Sequence, residues 1–155
     1  MKYRFLIALA VSSLTGCSPP QKGEGENDTA ISGFENRECY RFVQNQDTIR
    51  LSVRSSEGRI SGRLSFTFYE KDQTHGTIDG MMKGDTLLAT YAFTSEGLMS
   101  YREVAFLKRT DAFVMGTGEI LNSGNRDVFK SPQTIEFDHQ VVLRHVDCDD
   151  TFQND

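Results

Sequence analysis

From Glu38 onward, apolar and polar residues alternate along the chain. Ile49, Leu51 and Val53 take one face of Thr48 to Ser55, and Arg50, Ser52 and Arg54 take the other. A side-chain period of two marks a strand with one buried face. Arg59 to Tyr69 repeats the pattern, with Ile60, Gly62, Leu64, Phe66 and Phe68 inward and Arg59, Arg63, Ser65 and Thr67 outward. Gly76 to Met82 and Asp85 to Thr94 predict a hairpin joined at Lys83-Gly84, where glycine can take the positive φ of a tight turn. Leu87, Ala89, Tyr91 and Phe93 share one face of its second strand. Ser95-Glu96-Gly97 turns the chain into Ser100 to Arg109, and Thr110-Asp111 turns it again into Ala112 to Ile120. Leu121 to Asp127 is expected as the longest irregular loop, and Thr134 to Val146 as the last strand, kinked near Asp138. With Glu38 to Val43 as the first, the strands number eight. A short helix around Asp127 to Gln133 is the one helical alternative, because no other segment after the N-terminal region carries a period of 3.6.

Eight strands joined mostly by short turns predict an all-β fold. The expected form is an antiparallel up-and-down barrel, lipocalin-like or flattened, since closure removes both exposed edges of a twisted sheet.

The first residues follow other rules. Lys2 and Arg4 precede an apolar run from Phe5 to Val11, and Leu14-Thr15-Gly16-Cys17 follows. This is the layout of a secretory signal, too short in its apolar part to span a bilayer. The tetrapeptide resembles the lipobox of bacterial lipoproteins. That resemblance implies removal of Met1 to Gly16, a diacylglyceryl group on Cys17, and acylation of the new amine by a fatty acid such as palmitate. Several buried acyl chains make a durable membrane anchor. Cys17 to Arg37 is rich in Pro, Gly and charge and reads as a tether, Glu38 to Cys148 as the barrel, and Asp149 to Asp155 as a polar tail. Ser18 after the lipidated cysteine is similar to the outer-membrane sorting signal of enterobacterial lipoproteins. The expected location is the cell envelope, on either face of the outer membrane.

Loss of Lys2 and Arg4 moves the formal charge from −5 to −7. So acidic an exported chain would repel nucleic acid. Of the three cysteines, Cys39 and Cys148 remain once Cys17 carries lipid. In an oxidising compartment they are expected to pair. Strand parity agrees: the first and eighth strands of a meander run antiparallel, so closure sets Cys39 beside Cys148.

No motif of nucleophilic, phosphate-binding or metal-dependent catalysis is present, and His75, His139 and His145 are too scattered for one ion. The chain is therefore read as a monomeric non-enzyme without cofactor or metal. Arg102 and Glu103 are adjacent, so one of them faces inward. An inward Arg102 holds a bound anion, pairs across the rim or stays solvated there. Phe66, Phe68, Tyr91, Phe93, Phe106 and Phe113 either frame a small apolar cavity or fill the core.

Gly62 and Leu64, Glu70 to Asp72, Gly84 to Leu87, Ser95 to Gly97, and Arg102 to Val104 resemble the recurring phrases of a family of small Bacteroidetes lipoproteins. That similarity implies no activity. A second, partial resemblance is to membrane-bound inhibitors of C-type lysozyme, lipid-anchored barrels whose Ser-x-Gly-x-x-Tyr loop enters the enzyme's cleft. Ser95, Glu96, Gly97 and Tyr101 echo it, with the tyrosine displaced by one residue. Two functions are thus expected: a binding module or envelope scaffold for a small apolar ligand or a protein partner, or an inhibitor acting through Ser95 to Arg102. The site residues that these readings name are Tyr91, Ser95, Glu96, Tyr101 and Arg102.

Overall fold

The structure is a computed structural model that describes residues 37–152 except Asp72, Glu96 and His139. Cys17, the signal, nearly all of the tether and the last three residues lie outside the described residues.

The strands are β1 (Arg37–Gln44), β2 (Asp47–Ser56), β3 (Arg59–Thr67), β4 (Thr74–Lys83), β5 (Thr86–Ser95), β6 (Leu98–Arg109), β7 (Ala112–Met115), β8 (Ile120–Ser123), β9 (Arg126–Phe129) and β10 (Val142–Val146). Strands β1 to β7 pair antiparallel in sequence order; β10 then joins β7 to β1 and closes an eight-stranded barrel. Glu57 and Gly58 both have positive φ between β2 and β3, the conformation that matches a two-residue turn to the right-handed twist of its strands.

The alternation sorts residues as the sequence predicts. Ile49, Leu51 and Val53 are buried, as are Ile60, Leu64 and Phe66, and Leu87, Ala89, Tyr91 and Phe93. Together with Tyr40, Ile78, Val104, Phe106, Phe113 and Leu143 they form one core. Tyr91 stacks on Phe93 with centroids 4.7 Å apart, and Tyr40 meets Phe113 edge-on at 4.8 Å. These aromatics fill the interior of the barrel. Gly62 and Gly76 let neighbouring strands come close: a Cβ at either would fall about 2 Å from the carbonyl oxygen of Ser52 or Ala92.

Cys39 and Cys148 form the disulfide, with Cα atoms 5.3 Å apart. The pairing of Cys39 with Val146 across β1 and β10 brings them together.

Between β7 and β10 the chain departs from the expected plan. The strand expected over Ala112 to Ile120 ends at Met115, and the last strand begins only at Val142. Leu121 to Asp127, expected as loop, lies largely in an outer hairpin: β8 pairs β9 through a turn at Gly124, which has φ 65°. Pro132–Thr134 is a single 3-10 turn, and Thr117 bridges Glu136. The physical reason is a shared strand edge. At twelve residues β6 outruns β7, and the uncovered half of its edge is taken up by β9 in parallel, Tyr101 to Arg126 and Arg102 to Asp127.

The tail also differs from expectation. Phe152 is only 3% exposed. It lies by the outer wall beside Ser52 and Ser65, both buried although they sit on outward positions. Arg37 donates to the Phe152 carbonyl at 2.7 Å, and Arg41 pairs with Asp149 at 2.9 Å with its guanidinium 5.1 Å from the Phe152 ring centroid. Because the disulfide pins Cys148 to β1, the residues after it run back over the sheet.

Candidate functional site

Register decides where the candidate residues go. Arg102 pairs with Tyr91 across β5 and β6, so both belong to the inward series that continues through Val104 and Phe106. Glu103 faces out, where it accepts the Phe129 backbone N–H at 2.9 Å. Arg102 stands at the rim, about half exposed, over a cleft of about 280 Å³ lined with Phe66, Phe68, Thr74 and Met115. By strand parity all of these lie on the interior face, so the cleft is the barrel's own mouth, above the filled core.

The mouth holds polar groups in an apolar surround. Arg102 Nε meets Asp127 Oδ2 at 3.4 Å, longer than a tight charge-assisted hydrogen bond, and its Nη atoms make no hydrogen bond among the described residues. Its guanidinium carbon lies 5.6 Å from the Phe93 ring centroid. Asp127 is placed by the parallel β6–β9 pairing and fixed by the Asn122 side-chain amide at 2.7 Å.

Below Arg102, Tyr91 is wholly buried and its hydroxyl makes no hydrogen bond of normal geometry among the described residues. Burial pushes the phenol's pKa up, while the Thr74 hydroxyl and the Arg102 charge pull it the other way. Thr74 is thus near enough to act on Tyr91 Oη without making a hydrogen bond of normal geometry to it. A buried hydroxyl without a partner costs about 1–3 kcal/mol.

The other predicted residues do not converge here. Ser95 continues the inward series Leu87 to Phe93, whereas Tyr101 pairs with Ala92 on the outer face, beneath Arg126 at 5.0 Å. They lie three ranks apart, about 10 Å along the strand, and on opposite sides of the sheet. Glu96 lies outside the described residues. Leu98 and Met99 are exposed beside this turn. His75 is on β4 and His145 stacks edge-on with Tyr40 at 5.4 Å, while His139 lies outside the described residues. Among the described residues, no group of three or more His, Cys, Asp or Glu side chains could hold a metal ion.

Asp127 and Asn122 were not anticipated as site residues. The available signal was Ile120-Leu121 and Val128-Phe129 flanking Asn-Ser-Gly-Asn, an apolar–turn–apolar hairpin pattern. No family model, curated protein or solved structure matches the chain.

Proposed function

We propose that the protein is a lipid-anchored, non-enzymatic binding module of the cell envelope, and that its barrel mouth takes a small amphipathic acid. The observation that supports this most is the buried Tyr91 hydroxyl, without a hydrogen bond of normal geometry among the described residues, beneath a loosely paired Arg102. A carboxylate at the mouth would receive the guanidinium donors that Asp127 leaves open, and would reach the phenolic O–H beneath once the side chains that cover it part. An apolar body would rest against Phe66, Phe68 and Met115. The cleft sits just below the usual range of about 300–1,000 Å³ for ligand sites, which suits a short acid or the acidic end of a longer molecule. The filled core directs recognition to the rim.

In this reading the anchor is acylated Cys17, and the compartment is the outer membrane. The inhibitor alternative draws no support from the rim geometry, since Ser95 and Tyr101 face apart.

The test is native mass spectrometry of the protein extracted from envelopes with mild detergent, followed by titration with a series of short fatty acids. A bound acid that is lost in Arg102→Gln is expected. A clean apo mass and no response to any acid would overturn the reading. Replacing Cys17 with Ser is expected to release the protein from the membrane fraction, and its retention there would sink the anchor.

A further inference from the structure

The barrel has two unlike ends. The connections after β1, β3 and β5 lie at the mouth end, and those after β2, β4 and β6 at the far end. The far turns display Glu57, Asp85 and Asp111, flanked by Arg59, Lys83 and Arg109, and carry no large apolar side chain. The mouth end is the opposite. Val43 near the end of β1, Tyr69 in the loop after β3 and Leu98 at the start of β6 are 60%, 54% and 71% exposed, and Met99 follows at 49%. Elsewhere among the described residues, Met81 is exposed on the outer wall, and Ile120 and Leu121 on β8.

These side chains are held on display. The Tyr69 backbone N–H donates to Asp47 at 2.8 Å, tying the loop after β3 to the turn after β1. The Lys71 N–H donates to the Phe68 carbonyl at 3.2 Å and Glu70 has φ 53°, so a tight turn presents Tyr69 at its corner. Beside them, the Asn125 side-chain amide donates to the Met99 carbonyl at 3.1 Å. Apolar side chains fixed around the rim of an apolar cleft mark an interaction surface.

We propose that the mouth-end turns seat on the surface of the bilayer that holds the anchor, so that the mouth opens onto lipid. The inference rests on the reading of Cys17 as acylated. Cys17 lies 20 positions before Arg37, a reach of up to about 65 Å. Strand β1 carries the chain from Arg37 at the far end to Gln44 at the mouth end in eight residues, about 26 Å. The anchor therefore reaches the surface on which the rim sits, although β1 starts at the far end. A tyrosine among leucine, methionine and valine suits the boundary between headgroups and acyl chains. The same three connections carry Asp47, Glu70, Asp72 and Glu96 against Lys71, which anionic headgroups would repel, so the surface that fits is zwitterionic. An amphipathic acid then passes between bilayer and mouth without crossing water.

The chain contains no tryptophan, so an introduced one reports alone. Full chain extracted from envelopes and carrying Leu98→Trp or Lys83→Trp is reconstituted in phosphatidylcholine vesicles with brominated acyl chains, which quench an indole that enters the bilayer. Both positions are exposed, so neither change should lower the melting temperature. The Leu98→Trp indole is expected to be quenched with a blue-shifted emission, and the Lys83→Trp indole to show neither effect. Adding Val43→Ser and Tyr69→Ser to Leu98→Trp should lower the quenching by about threefold or more, since insertion weakens with each buried methylene lost. Protein that floats with the vesicles while both indoles are quenched alike, or neither is, would overturn the seating and leave the anchor standing. A blue shift that depends on protein concentration in detergent, without quenching in vesicles, would show that a second copy covers the rim instead. Protein that does not float would overturn anchor and seating together. Fatty-acid binding is titrated separately, so a mouth that takes no acid leaves the quenching result intact.

Discussion

Replacing Tyr91 with Phe removes one oxygen from the middle of the barrel and is expected to make the protein more stable. The ring keeps its packing: the stacked contact with Phe93 at 4.7 Å and the edge contact with Phe66 at 5.7 Å need no hydroxyl. What disappears is a buried donor without a hydrogen bond of normal geometry among the described residues, whose desolvation costs about 1–3 kcal/mol. The nearby Thr74 hydroxyl offsets part of that cost, so the lower end applies, a gain of about 1 kcal/mol. With urea slopes of about 1–3 kcal/mol per molar, the unfolding midpoint should rise by about 0.5 M at unchanged slope. Non-reducing urea titration of parent and variant, followed by circular dichroism, measures this directly. The same variant should bind a short fatty acid about tenfold more weakly, because a group held against stability is retained for its contact with ligand. A midpoint that falls by a similar amount would show that the hydroxyl is satisfied in the folded protein, and would remove the main support for the mouth as a site.

Other consequences follow from the same geometry. Cys39→Ala/Cys148→Ala opens a loop spanning 109 residues, which the chain-entropy relation values at about 5 kcal/mol; a loss below about 1 kcal/mol in denaturant titration would show that β1 and β10 hold without it. Gly62→Ala drives a Cβ into the Ser52 carbonyl and should cost about 1–3 kcal/mol, read as a lowered melting temperature; an unchanged one would mean that β2 and β3 yield freely. Burial raises the phenol pKa of Tyr40 and Tyr91, with a hydrogen bond from Tyr40 to Glu38 adding to the former. The native state therefore favours the neutral phenols. Their contribution is complete below the unfolded value of 10.0 and is lost as pH rises through it towards the folded values. Native chain at alkaline pH should accordingly show less tyrosinate absorbance than urea-unfolded chain at the same pH, and matching spectra would contradict the shift.

Much of the barrel was legible in the alternation. Ile49-Leu51-Val53 and Leu87-Ala89-Tyr91-Phe93 have one face to bury, and a one-residue slip would expose the whole set, so pattern alone orients these strands. Strand parity likewise placed Cys39 beside Cys148. The pattern weakens where strands are short. In β8 and β9, four residues each, alternation has no room to declare itself, and the Ser-Gly-Asn turn reads equally as loop. Phe152 was hidden for a related reason: a single aromatic among polar residues has no period, and it is the disulfide at Cys148, with Arg37 and Arg41 on β1, that returns it to the sheet.

By itself, then, the sequence determined which side of each long strand meets the core, how many strands close the barrel, and that its two ends could be tied. These are local matters of side-chain period and parity. Tertiary structure alone decided which residues from distant strands share a rank. Pairing placed Arg102 over Tyr91 and beside Asp127. Chemistry at the mouth depends on those cross-strand neighbours, which lie up to 25 positions apart. Period states which face a side chain takes, but only register states what stands next to it.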